Sequence, residues 1–244
     1  SVPLPSKGII YPEENPLHLK ETIDIRAMRG KDMDILHSPA LAKKGTVITE
    51  VLKACLVDKR IDVKNMISGD RDAVMVALRV LSFGSEYPVE ISCPKCGENQ
   101  EIEFNLNNVP INSLKVEPDA LGENKFSLTL PFSKKKVVVK FLTGTEEEDI
   151  MVASQKKKKN KVLNEGLITT QMLFSITSVD GKSDRAFVNK FVNNMPARDV
   201  LYVQRFLAKN TPSAELKGEF DCNICDENSE VDIPIGASFF WPNK

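Results

Sequence analysis

Histidine is nearly missing from this chain of 244 residues: His18 and His37 are the two, which leaves little material for imidazole-based catalysis. A charge excess of either sign is also missing. Lys+Arg number 33 and Asp+Glu 34, a net charge of −1, which argues against a globally basic nucleic-acid binder and leaves room only for a local basic patch. No run of about 18 apolar residues occurs, so no membrane-spanning helix is expected. The amino end, Ser-Val-Pro-Leu-Pro-Ser-Lys-Gly, lacks the basic-then-apolar pattern of a signal peptide. Enzyme motifs are wanting too: no Gly-x-x-x-x-Gly-Lys-Ser/Thr, no Gly-x-Gly-x-x-Gly, no Gly-x-Ser-x-Gly and no His-Glu-x-x-His. With 41% apolar and 27% charged residues the chain is not of disordered composition. A soluble, intracellular protein is the expectation.

Five cysteines are present, and four form two Cys-x-x-Cys pairs: Cys93 with Cys96, and Cys222 with Cys225. Two such turns from neighbouring hairpins supply the four thiolates that tetrahedral zinc takes at about 2.3 Å. A closed four-sulfur site has no open coordination position, so the zinc is expected to be structural, contributing on the order of 10 kcal/mol to folding. Disulfides and an iron–sulfur cluster are the alternatives, with a thioredoxin-like redox pair disfavoured because neither motif opens a helix after a strand. Gly97 suits the tight turn after the first pair, whereas Asp226 at the equivalent place tolerates a left-handed backbone less easily. Cys55 sits on an apolar stripe with Ile48, Val51 and Leu52 at helical spacing and reads as a core residue.

The segments after the two cysteine pairs match in register at an offset of 129: Glu98-Asn-Gln-Glu-Ile-Glu-Phe104 and Glu227-Asn-Ser-Glu-Val-Asp-Ile233. Arg71-Asp72 and Arg198-Asp199 stand 127 apart, Ile48-Thr49 and Ile168-Thr169 stand 120 apart, and Gly30 and Gly144 stand 114 apart. The step from 114 to 120 equals the length of the run Lys156–Lys161, which reads as an insertion. The fold class expected is α+β. It consists of two divergent tandem repeats, 1–115 and 116–244, each with strands and about three helices, joined by a shared zinc-ribbon-like module. Within the repeats, Ile23–Met28 and Val137–Leu142 read as extended. Val74, Ala77, Leu78 and Leu81 line one helix; Val200, Val203 and Leu207 line another, with Pro196 at its first position.

Outside the cysteines, three features invite a binding role. The run Lys156–Lys161 could meet phosphates, though no aromatic residues interleave it. Phe239, Phe240 and Trp241 form either an exposed anchor or a plug on the chain's own module. The stretch Leu4–Pro12 is either an arm for a partner or part of the chain's own sheet.

Leu4-Pro-Ser-Lys-Gly-Ile-Ile-Tyr-Pro12, Ser68-Gly-Asp-Arg-Asp72, Arg79-Val-Leu-Ser-Phe-Gly84, Tyr87 to Cys96 and the closing Cys222–Cys225 module together resemble the baseplate hub assembly proteins of T-even-type contractile-tailed bacteriophages. The resemblance implies a scaffold or assembly factor that works by binding other hub or tail proteins. The setting it implies is the host cytoplasm or the virion baseplate, and it offers no catalytic residues. The rival reading is a nucleic-acid-binding zinc-ribbon protein that uses the lysine run.

Overall fold

A computed structural model describes residues 1–159, 166–235 and 237–240. The chain is mixed α/β, with eight α-helices and small antiparallel sheets among the described residues. In chain order the first part has β1 (Val2–Pro3), β2 (Thr22–Ile23), α1 (Gly30–Leu36), α2 (Pro39–Lys44), α3 (Val47–Cys55) and α4 (Ser68–Phe83). The hairpin β3 (Glu86–Ser92) and β4 (Asn99–Asn105) follows, then β5 (Ile111–Asn112). The second part has β6 (Phe126–Thr129), β7 (Lys136–Val139), α5 (Gly144–Lys159), α6 (Leu167–Ser175), β8 (Ile176–Val179), α7 (Arg185–Asn193) and α8 (Ala197–Asn210). It ends with β9 (Ser213–Ala214) and the hairpin β10 (Lys217–Asp221) and β11 (Asn228–Asp232). Each part thus holds four helices rather than three.

The elements form where the sequence patterns put them, with instructive departures. Val51, Leu52 and Cys55 are buried on α3, and Val203 and Leu207 on α8. On α4, Val74 and Leu78 are buried but Leu81 is 53% exposed, while Val80 and Phe83 of the same turn pack against the core. The extended stretch after Thr22 pairs as a strand for only two residues. Beyond it, a single bridge joins Ile25 to Leu56, since no third strand extends the β1–β2 pair as β8 extends the pair of β6 and β7. Pro196 is the N-cap of α8 rather than its first residue.

The same contacts recur in the two parts. Both lead helices are capped alike: Asp32 accepts from the Arg29 N–H (2.7 Å) and pairs with Arg26, while Glu146 accepts from the Thr143 N–H (3.0 Å) and pairs with Lys140. Every member of the second set lies 114 positions after its counterpart. The Arg26 N–H donates to the Cys55 carbonyl and the Lys140 N–H to the Ser175 carbonyl, each at 2.9 Å. The bridge Ile25–Leu56 has its counterpart in Val139–Ile176. Lys7 and Lys134 both take positive φ, 52° and 59°, in the turns that follow Leu4-Pro and Leu130-Pro.

Two buried carboxylates tie these turns to the long helices. Asp70 and Asp199 are each the third residue after their helix N-caps, Ile67 and Pro196, and both are 0% exposed. Asp70 accepts from the Ser6 N–H (2.9 Å), the Ser6 hydroxyl (2.5 Å) and the Tyr11 hydroxyl (2.7 Å). Asp199 accepts from the N–H groups of Phe132 (2.8 Å) and Ser133 (2.9 Å). The two aspartates stand 129 apart, the spacing of the cysteines. Position in the helix therefore pairs these aspartates at 129, whereas identity of the dipeptide pairs Arg71-Asp72 with Arg198-Asp199 at 127.

The parts share one continuous core. The Ser68 N–H donates to the Leu142 carbonyl and the Gly144 N–H to the Met66 carbonyl, joining the start of α4 to the start of α5. Gly69 is required here: a Cβ at that position would lie 1.7 Å from the Pro212 carbonyl oxygen. β5 pairs with β9, and the arm at the amino end packs at home, with Leu4, Ile10 and Tyr11 buried.

Candidate metal centre

The two hairpins bring all four expected ligands together. The sulfurs of Cys93, Cys96, Cys222 and Cys225 lie within 4.8 Å of one another, and Cys93–Cys225 and Cys96–Cys222 are each 3.7 Å apart. That distance is far beyond a disulfide bond of about 2.05 Å. It matches the roughly 3.8 Å edge of a tetrahedron with sulfurs about 2.3 Å from a central ion. The donor set therefore fits one tetrahedral, thiophilic divalent cation, and each hairpin gives two ligands.

Local geometry builds each knuckle the same way. The Cys93 N–H donates to the Glu98 carbonyl (2.8 Å) and the Gly97 N–H to the Cys93 carbonyl (2.9 Å). The Cys222 N–H donates to Glu227 (2.9 Å) and the Asp226 N–H to Cys222 (3.1 Å). Gly97 takes φ 77° and Asp226 φ 53°, so the aspartate adopts the left-handed turn expected to suit it poorly. The carbonyl contact to Cys222 holds it there. The N–H groups of Cys96 and Lys95 point at the Cys93 sulfur (3.5 and 3.4 Å), which holds that thiol down at about 6. Burial pushes the Cys225 thiol up to about 12. A metal takes these groups as thiolates, so a bound cation would displace the protons they carry.

Other side chains clamp the hairpins. The Gln100 side-chain amide donates to the Asp221 carbonyl (2.6 Å) and accepts from the Asn223 N–H (3.1 Å), while Lys95 meets Glu227 at 3.0 Å. Tyr87 donates its hydroxyl to the Pro234 carbonyl (2.8 Å). Phe239 packs edge-on against the Tyr87 ring at 5.1 Å, and both Phe239 and Phe240 are 0% exposed. They plug the chain's own module, so the anchor reading fails for both; Trp241 lies outside the described residues. Cys55 is buried away from the cluster, its thiol raised to about 11 by burial, as a core residue should be. Of the lysine run, Asn160 and Lys161 lie outside the described residues, as do the side chains of Lys156–Lys159. Sequence reasoning overlooked Ser6, Tyr11, Asp70, Arg79 and Gln100. The spacing of 129 that linked the cysteines would also have linked Asp70 to Asp199.

The described residues thus form a mixed α/β body in which two cysteine hairpins close on one another. The model of the family described as T4 bacteriophage base plate protein matches residues 11–241, nearly the whole chain. The protein belongs to that family, and hence with the virion or the infected host cell and with other phage structural proteins. No curated protein and no solved structure matches the chain. Among the described residues, no helix is long and apolar enough to cross a membrane.

Proposed function

We propose that the protein is an assembly factor or scaffold for the hub of a T4-type tail baseplate, acting by protein–protein binding and without bond chemistry. Family membership over residues 11–241 is the observation that carries this reading. The body is a tandem duplication, 1–115 and 116–244, as the contacts recurring at 114 and 129 support. Its halves are riveted by a structural zinc ion on Cys93, Cys96, Cys222 and Cys225, as the tetrahedral sulfur spacing supports. Zinc here supplies folding free energy and a fixed angle between the hairpins.

In this role the rigid body shifts an assembly equilibrium by mass action in the host cytoplasm. Mixing the purified protein with separately purified hub and wedge subunits of its phage tests this by size-exclusion chromatography. A stable complex with a hub subunit is expected. Binding to wedge subunits alone, or to neither, overturns the hub assignment.

A further inference from the structure

Near its C-terminal end α4 carries a buried cation that, among the described residues, no carboxylate reaches. Arg79 is 1% exposed. Its guanidinium donates to the carbonyls of Gly84 (2.7 Å) and Glu86 (3.1 Å) and lies over the rings of Phe83 (5.4 Å) and Tyr87 (5.9 Å). Carbonyl oxygens, the negative end of the helix and two ring faces stand in for the water it gives up. Phe239 closes the site from the other half of the chain, against Tyr87.

Moved on by 129 positions, the same site holds Ala208 in place of Arg79, Ser213 for Gly84, Glu215 for Glu86 and Leu216 for Tyr87. These four residues line one open cleft of about 550 Å³ beside the C-terminal end of α8. Asn112 borders it from the first half. Where the first half inserts a guanidinium, the second presents a methyl group and space. Glu215 and Asp232 put carboxylates at the cleft, and Lys217 beside them is tied to Glu230 at 3.0 Å.

We propose that this cleft receives an arginine side chain of a partner protein, seated against Ala208 and Leu216 as Arg79 is seated against Tyr87. The inference rests on the duplication proposed above and specifies the partner chemistry of the binding function. A planar, forked cation suits the cleft better than an ammonium, because it is more weakly hydrated against an apolar wall and can donate in two directions, toward Glu215 and Asp232.

Nuclear magnetic resonance titration of the intact zinc-loaded protein with N-acetyl-arginine amide tests it, with the lysine and citrulline analogues as controls. The arginine probe is expected to shift the resonances of Ala208, Leu216 and Ile233 with a Kd of ~1 mM, as befits so small a ligand. Lysine amide should bind at least about fivefold more weakly and citrulline amide not measurably. Ala208→Arg should plant the missing guanidinium, raise Tm and abolish the probe's shifts. If wild type ignores the probe while Ala208→Arg is stabilised, the cleft inference falls and the duplication stands. If wild type ignores the probe and Ala208→Arg gains nothing, both fall. Equal shifts with citrulline overturn arginine recognition. Should Ala208→Arg not fold, Glu215→Gln with Asp232→Asn must weaken the probe at least fivefold, and unchanged binding overturns the proposal.

Discussion

The buried aspartates Asp70 and Asp199 occupy one position in two similar frames and live in different chemical worlds. Asp70 is surrounded on all sides, and burial outweighs its bonds from Ser6 and Tyr11, so its carboxyl lies above the usual range. Asp199 is also shielded, but its donors lie in a turn whose Phe132 is 62% exposed. There burial is more than offset by the N–H groups of Phe132 and Ser133, and its carboxyl lies below the usual range. Position in the helix is shared, whereas the partners are two hydroxyls and one main-chain N–H at Asp70 and the main-chain N–H groups of Phe132 and Ser133 at Asp199. A hydroxyl can reverse its role from donor to acceptor; a peptide N–H cannot.

The largest test concerns what the halves hold in common. Cys93→Ser and Cys222→Ser should each remove most of the metal's contribution, which is on the order of 10 kcal/mol, and a chelator should do the same to the wild type. Equal losses of Tm are expected because both cysteines feed one ion. Calorimetry with metal analysis checks this. A silent change at either cysteine would show that the halves do not share a site.

At the aspartates the halves should diverge. Asp199→Asn places an NH2 group against one of two fixed N–H donors, leaving buried donors face to face, and should cost about 3 kcal/mol. Asp70→Asn can be accommodated by rotating the hydroxyls of Ser6 and Tyr11 and should cost about 1 kcal/mol. Their pH signatures should oppose each other. Asp199 has a lowered folded-state pKa, so its contribution is present above the unfolded pKa and is lost as pH falls through the folded one. Asp70 has a raised folded-state pKa, so its contribution is present in acid, below the unfolded pKa, and is lost as pH rises through the folded one. Urea denaturation across pH should therefore show Asp199→Asn flattening the decline in acid and Asp70→Asn flattening the decline on the side of rising pH. Identical profiles would mean that the environments are equivalent after all.

How much of this was legible in the sequence follows from the range of the interactions. The four-cysteine cluster was readable because Cys-x-x-Cys is a local pattern whose chemistry needs those atoms at that spacing. The helices were readable because an apolar stripe repeats every turn. The Asp70 and Arg79 sites were not, since each depends on groups gathered by the tertiary fold, such as Ser6 and Tyr11 on a carboxylate more than fifty positions away. Phe239 and Phe240 illustrate the same limit: aromatic residues near a chain end look alike whether they cover a partner or, as here, Tyr87. The alternation that suggested a long strand after Thr22 marks a buried edge, and the number of paired residues depends on a neighbour that is short in one half and longer in the other.

The finest comparison is between Gly30 and Gly144, which open α1 and α5 at equivalent places. A Cβ on Gly30 meets nothing within 4 Å, and its backbone is not in the left-handed region, so Gly30→Ala should gain about 0.5 kcal/mol by restricting the unfolded chain. A Cβ on Gly144 would lie 2.4 Å from Arg71 Cδ and 2.2 Å from its Nη1. Arg71 is held between that glycine and Glu148, with which it forms an ion pair across the junction of the halves. Gly144→Ala should therefore displace the arginine, weaken the pair and cost about 1 kcal/mol despite the same gain in the unfolded state. Adding Arg71→Ala should cancel most of that cost, because the crowding and the ion pair disappear together. A double-mutant cycle read by chemical denaturation measures the coupling, and a Gly144→Ala variant as stable as Gly30→Ala would show that the junction is looser than its atoms suggest.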